Sequence, residues 1–192
     1  MLQTQVINQV ALIVEKACYR DTNPFGTSIW QNHILEVVKY SDALAIAHQA
    51  DREICILAAL LHDYAGIVDE KYYHQHHLYG MKAAEKLLNT LGFDPQRTEQ
   101  VKEAIKTHRG SLSLPPQSVE AMCVANADAM AHITQYSSLV TYAHDIRALN
   151  WSQSREFVMN KINRSWNKMS AGVKTLFESQ YQLIINQLKT AA

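Results

Sequence analysis

The feature that most constrains this chain is the spacing of its apolar residues, which recur three and four positions apart along nearly the whole length. Val101, Ala104, Ile105 and His108, at i, i+3, i+4 and i+7, mark one stripe of a helix. Alternating β-branched stretches that would read as strands are missing. The pattern predicts an all-α fold with nine helices near 2–20, 27–49, 52–65, 77–91, 95–109, 117–133, 134–148, 153–168 and 171–189. In Leu91-Gly92-Phe93-Asp94-Pro95, Gly92 can end one helix in the left-handed conformation, while Asp94 caps and Pro95 opens the next. Asn23-Pro24-Phe25-Gly26 and Gly110 to Pro116 read as loops. With no repeat, low-complexity segment or linker, the expectation is one domain over 1–192. Its core spans about 27–135, with helices at about 151–190 packed on as an extension.

Eighteen basic and eighteen acidic side chains cancel, so no global field draws the chain to a nucleic acid polymer or an anionic membrane. A charged small-molecule substrate must be held locally. Cys18, Cys55 and Cys123 are far apart and form no C-x-x-C pair, which fits a reducing cytoplasm. The first residues lack a basic start and apolar stretch, and the longest apolar run, Ile54 to Leu61, is too short to span a bilayer. A cytoplasmic protein is expected. Tyr181, Leu183, Ile184, Ile185 and Leu188 on the last helix can pack on the core or on a second subunit, which leaves a homodimer open.

His62-Asp63 closes the apolar run Leu57-Ala58-Ala59-Leu60-Leu61. Neighbouring residues on a helix point about 100° apart, but in a last turn before Gly66 both side chains can lean toward one ion. A nitrogen and a carboxylate oxygen suit Fe, Mn, Co, Ni or Zn better than Ca. The chain holds a second such pair, His144-Asp145, in what reads as an ordinary amphipathic helix. Two ligands do not hold a metal, so partners must come from elsewhere. His33 shares an inward face with Val37, Val38 and Ala45, as a hydrogen-bonded core residue or as a ligand. His108 ends an inward stripe. Asp128 lies within the apolar stretch Met122 to Met130, where burying a carboxylate demands a cation or several donors.

His33, then Ala58-Ala59-Leu60-Leu61-His62-Asp63, then Asp128 resembles the H…HD…D signature of the HD-domain superfamily of metal-dependent phosphohydrolases. Asp51-Arg52-Glu53, His76-His77-Leu78-Tyr79-Gly80, His108-Arg109-Gly110-Ser111 and Arg164-Ser165-Trp166-Asn167-Lys168 resemble a bacterial and archaeal branch of it. The resemblance implies an all-α core of five or more helices, with a divalent metal bound by His33, His62, Asp63 and Asp128. Relatives with further histidines hold two metals bridged by the carboxylate equivalent to Asp63. His77 and His108 fall where those histidines stand, giving a six-ligand set; otherwise His77 belongs to a solvated cluster with His74 and His76. The chain departs from the pattern at Glu36, where many relatives have Arg, and at Tyr64-Ala65 after the HD pair. The acidic pair of some nucleotide-hydrolysing relatives has only the later Asp69-Glu70 to match it.

The implied activity is hydrolysis of a phosphate ester, of a nucleotide or another small phosphorylated metabolite, by water activated at one or two ions of Fe, Mn, Co, Ni or Zn, with Mg possible. Asp63 stands at the catalytic centre and Arg109 as a bidentate phosphate contact. His132, one turn past Asp128, either orients that carboxylate or is a satisfied core histidine. Two other readings stand beside this one: a di-iron oxygenase on the same scaffold, and a non-catalytic metal-binding sensor.

Overall fold

The computed structural model describes residues 2–109 and 114–190. Part of the 110–116 loop and the Gly110-Ser111 portion of the HRGS motif lie outside the described residues. Those described residues form ten α-helices and no strand. They are α1 (Leu2–Cys18), α2 (Leu35–His48), α3 (Arg52–Leu61), α4 (Tyr64–Val68), α5 (His76–Thr90), α6 (Pro95–Thr107), α7 (Val119–Thr134), α8 (Tyr136–Thr141), α9 (Trp151–Lys168) and α10 (Ala171–Thr190). π-helical turns run over Trp30–Ile34 and Tyr142–Ile146, and a 3-10 turn over Glu70–Gln75. The nine predicted segments are present, but the one placed at 52–65 is two helices. The chain breaks between Leu61 and Tyr64, at His62-Asp63.

Local chemistry explains the ends. Asp51 caps α3 by accepting from the Glu53 and Ile54 amides. Asp94 caps α6 with Pro95 in its first turn, and Gly92 takes φ +70° at the corner before it, as the sequence predicts. Asn150 and Gln153 form a reciprocal capping box at α9.

α7 is the central element. Every residue from Cys123 to Ile133 is buried, and its alanines let α2, α6, α3 and α9 approach closely. One apolar cluster joins α1, α3, α5 and α6 around Leu57, Leu60, Leu61, Leu88 and Ile105. A second joins the end of α7 to α9 and α10 through Ile133, Val158, Ile162, Ile184 and Leu188. Ile184, Ile185 and Leu188 therefore face α7 and α9, while Leu183 is exposed. No helix among the described residues is long and apolar enough to cross a membrane.

Candidate metal centre

Five segments deliver side chains to one point. His33 sits in the π-helical turn before α2, where the Leu35 amide bonds back to Trp30; such turns re-aim side chains and cluster at functional sites. His62 is the C-cap of α3, and Asp63, at φ −105° and ψ −1°, is the N-cap of α4. This bridge conformation ends the helix between the two residues, so adjacent side chains converge. His76 opens α5, His108 closes α6, and Asp128 projects from mid-α7.

The Asp63 oxygens divide between two histidine pairs. Oδ2 lies 3.4 Å from His33 Nε2 and 3.3 Å from His62 Nε2; Oδ1 lies 3.3 Å from His76 Nε2 and 3.8 Å from His108 Nε2. Asp128 Oδ1 adds to the first group at 3.4 Å from His33 and 3.8 Å from His62. Within each pair the two Nε2 atoms stand 3.1 Å apart.

The tautomers follow from the other ring nitrogen. Nδ1 of His62, His76 and His108 lies 2.7, 2.7 and 2.6 Å from the carbonyls of Ala59, Tyr73 and Ile105. A carbonyl only accepts, so each Nδ1 donates, and the neutral ring turns a lone pair outward at Nε2. His33 can still donate to His62. His76 and His108 cannot donate to each other, so two lone pairs face across 3.1 Å. Removing that repulsion requires a proton or a cation between them, and Asp63 Oδ1 stands beside both. The donor set fits a divalent transition metal: His33, His62 and Asp63 form one group able to hold an ion, Asp63, His76 and His108 a second, and Asp128 adjoins the first through His33, with which it and His132 form a third.

Electrostatics favour the ligand forms of Asp63, Asp128 and His108, whereas the two carboxylates favour a proton on His62 that a bound cation would replace. Burial alone would raise Asp63, but His62, His108 and His33 hold it well below the usual carboxylate range. Burial opposes Asp128 likewise, and His132, Lys168, His33 and His62 bring it down. Burial pushes His108 down to about 4, keeping the ring neutral. His62 is pulled down by burial, but Asp63 and Asp128 outweigh this and raise it.

His33, His62, Asp63, His108 and Asp128 are thus brought together; His77 is not. The histidine that joins them is His76. His77, buried one position further round α5, leaves Nδ1 without a partner among the described residues. His132 accompanies Asp128, with Nε2 3.4 Å from Oδ1 and Nδ1 2.9 Å from Ser165 Oγ. Lys168, quoted from the sequence as the end of the Arg164–Lys168 motif but given no role there, ends α9 by bonding Asp128 Oδ2 and donating to the His108 carbonyl at 2.7 Å. Glu36 pairs with Lys39. His144 stacks on Trp151 and bonds the Leu149 carbonyl, apart from these groups.

The centre floors a cavity of about 340 Å³. Phe25, Tyr73, Tyr142 and Phe157 give it an aromatic wall, and Arg109, Lys161, Arg164 and Lys168 a basic one. Arg109 is fixed by donating to the His74 carbonyl.

The model of the HD domain matches residues 30–132, which contain all these His and Asp residues. The chain belongs to the HD-domain family. α8 to α10, with Lys161, Arg164 and Lys168, lie beyond the matched segment. No curated protein matches the chain. Among solved structures it is similar to Bacillus subtilis YpgQ, at 18% identity over 98% of this chain and 95% of that one, with a TM-score of 0.69. YpgQ in complex with ADP aligns at 16% identity, 95% and 94% coverage and a TM-score of 0.66. A predicted HD superfamily hydrolase from an uncultured Thermotogales bacterium aligns at 20% identity, 95% and 88% coverage and a TM-score of 0.62. At such identities the likeness shows the fold, and its coverage extends it beyond the HD segment.

Proposed function

We propose that this HD-domain protein is a metal-dependent phosphohydrolase acting on a nucleotide or another small phosphorylated metabolite. His33, His62, Asp63 and Asp128 hold one ion; Asp63, His76 and His108 hold a second. The observation that carries the reading is the division of Asp63 between two histidine pairs, at the floor of a cavity walled by four cations.

A divalent cation held by these residues would lower the pKa of water and neutralise charge gathering on phosphate oxygens. The chain's own groups do the rest. Nδ1–H bonds to backbone carbonyls lock three imidazoles with Nε2 facing inward. Asp63, held anionic, fixes the spacing of the two groups. Arg109 presents a guanidinium at the cavity edge for phosphate oxygens. Phe25, Tyr73 and Tyr142, with ring centroids 5.6 and 5.9 Å apart about Phe25, offer stacking surface to an organic portion. YpgQ, which shares this fold, has been solved in complex with ADP, and this supports a nucleotide as the ligand class. The basic wall favours hydrolysis of an anion over oxygenation of a neutral substrate, which would leave Arg109, Lys161 and Arg164 without an ion-pair partner among the described residues, whereas Lys168 is paired with Asp128.

The test is phosphate release from a panel of phosphorylated compounds, run anaerobically with the native metal restored. Release without oxygen that disappears in Asp63→Asn supports the reading; product formation that requires oxygen overturns it.

A further inference from the structure

The cavity carries more positive charge than cleaving one phosphate requires. Its four cations face two carboxylates, Asp63 and Asp128, and both carboxylates face the ligand histidines. With even one divalent ion bound, the positive excess surpasses the charge of about −2 that a phosphomonoester brings. Anionic groups beyond the reacting phosphate are needed to balance it.

The excess is ordered along one helix. Lys161, Arg164 and Lys168 are spaced i, i+3 and i+7 on α9, which places them on a single face, and all three line the cavity. Lys168 is committed to Asp128 and the His108 carbonyl, marking the metal end. Lys161, seven residues back, is displaced by about 10 Å along the helix axis. Neither Lys161 nor Arg164 has an ion-pair partner among the described residues, so both guanidinium and ammonium are free to receive an anion. This face is anchored from below, since Ser165 bonds His132 and Ile162 is buried against α7.

We propose that Lys161 and Arg164 form an anion track leading away from the metal centre, selecting substrates with two or more linked phosphates over phosphomonoesters. The inference rests on the phosphohydrolase reading and names its substrate class. Each charge-assisted contact contributes enough to shift affinity about tenfold or more.

The test is calorimetric titration of the metal-loaded protein, at constant free metal, with orthophosphate, pyrophosphate and tripolyphosphate. Affinity is expected to climb about tenfold or more from the first to the last. It should collapse toward a common value in Lys161→Met/Arg164→Gln, with the bound metal unchanged. Arg164 is exposed, so Arg164→Gln alone carries the test if the double variant does not fold, and should lose a large part of the climb. Equal affinities in the wild type, or a climb that persists in Arg164→Gln and the double variant, overturn the track. If phosphomonoesters are hydrolysed and the climb is absent, the track fails and the phosphohydrolase reading stands. A climb that depends on Arg164, without phosphate release from any substrate, leaves the track and defeats that reading.

Discussion

At the residue scale, the centre depends on which nitrogen of each imidazole carries its proton and on the backbone at Asp63. The pairing of His62 with Asp63 is legible in sequence because a metal-type dipeptide ends an apolar run. The choice between His76 and His77 is not, since both are buried on α5. The buried stripe Leu88, Ala84, Gly80 steps back by fours to His76, and the Tyr73 carbonyl waiting for Nδ1 appears only in three dimensions. His76→Gln is therefore expected to lower the metal bound per chain, and His77→Gln to leave it unchanged, as read by elemental analysis; the reverse outcome would restore His77. His108 gives a pH prediction for the metal-free protein. Below its ordinary value of 6.5 the unfolded chain takes up a proton that folded His108 refuses until about 4. Stability should thus fall as pH drops through that window, by about 3 kcal/mol from this group. Denaturant titration should show a flatter profile over this range in His108→Gln, and parallel profiles would contradict the assignment.

At the element scale, helix positions were readable from periodicity, and the caps at Asp94 and Gly92 from turn chemistry. The break inside the predicted 52–65 helix was not, because Tyr64, Ala65 and Ile67 continue a helix-compatible pattern and only packing forces Asp63 into the bridge conformation. The π-helical turn at His33 was equally silent in sequence. α3 and α6 are joined where Arg97 binds Asp51 and buried Glu53. Glu53 Oε1 has no partner among the described residues, so Arg97 supplies its main compensation. Arg97→Met should cost about 2–3 kcal/mol, less than for a fully buried pair because Arg97 is partly exposed. Arg97→Met with Glu53→Gln should recover part of that in a double-mutant cycle.

At the scale of the molecule, the candidate ligands come from segments far apart in the chain, from His33 to Asp128, so an ion stabilises the assembled fold and not the unfolded chain. At a hundredfold excess over Kd this contributes about 2.7 kcal/mol, and Mn added to stripped protein should raise Tm by roughly 5–10 °C. The basic wall was the part of the site least visible in sequence. A chain of zero net charge conceals it: the i, i+3, i+7 spacing puts Lys161, Arg164 and Lys168 on one helix face, but only the packing of α9 against α7 turns that face onto the cavity. Family resemblance implied most of the ligand set and included Arg164 to Lys168 without a role, whereas the counter-charge these residues offer a substrate emerges from the placement of α9, beyond the matched segment 30–132. Asp63 is proposed to hold the metal centre together, and elemental analysis of protein purified without chelator decides this. Wild-type protein should carry a transition metal and Asp63→Ala little or none; equal metal content in the two, or none in either, would rule the centre out.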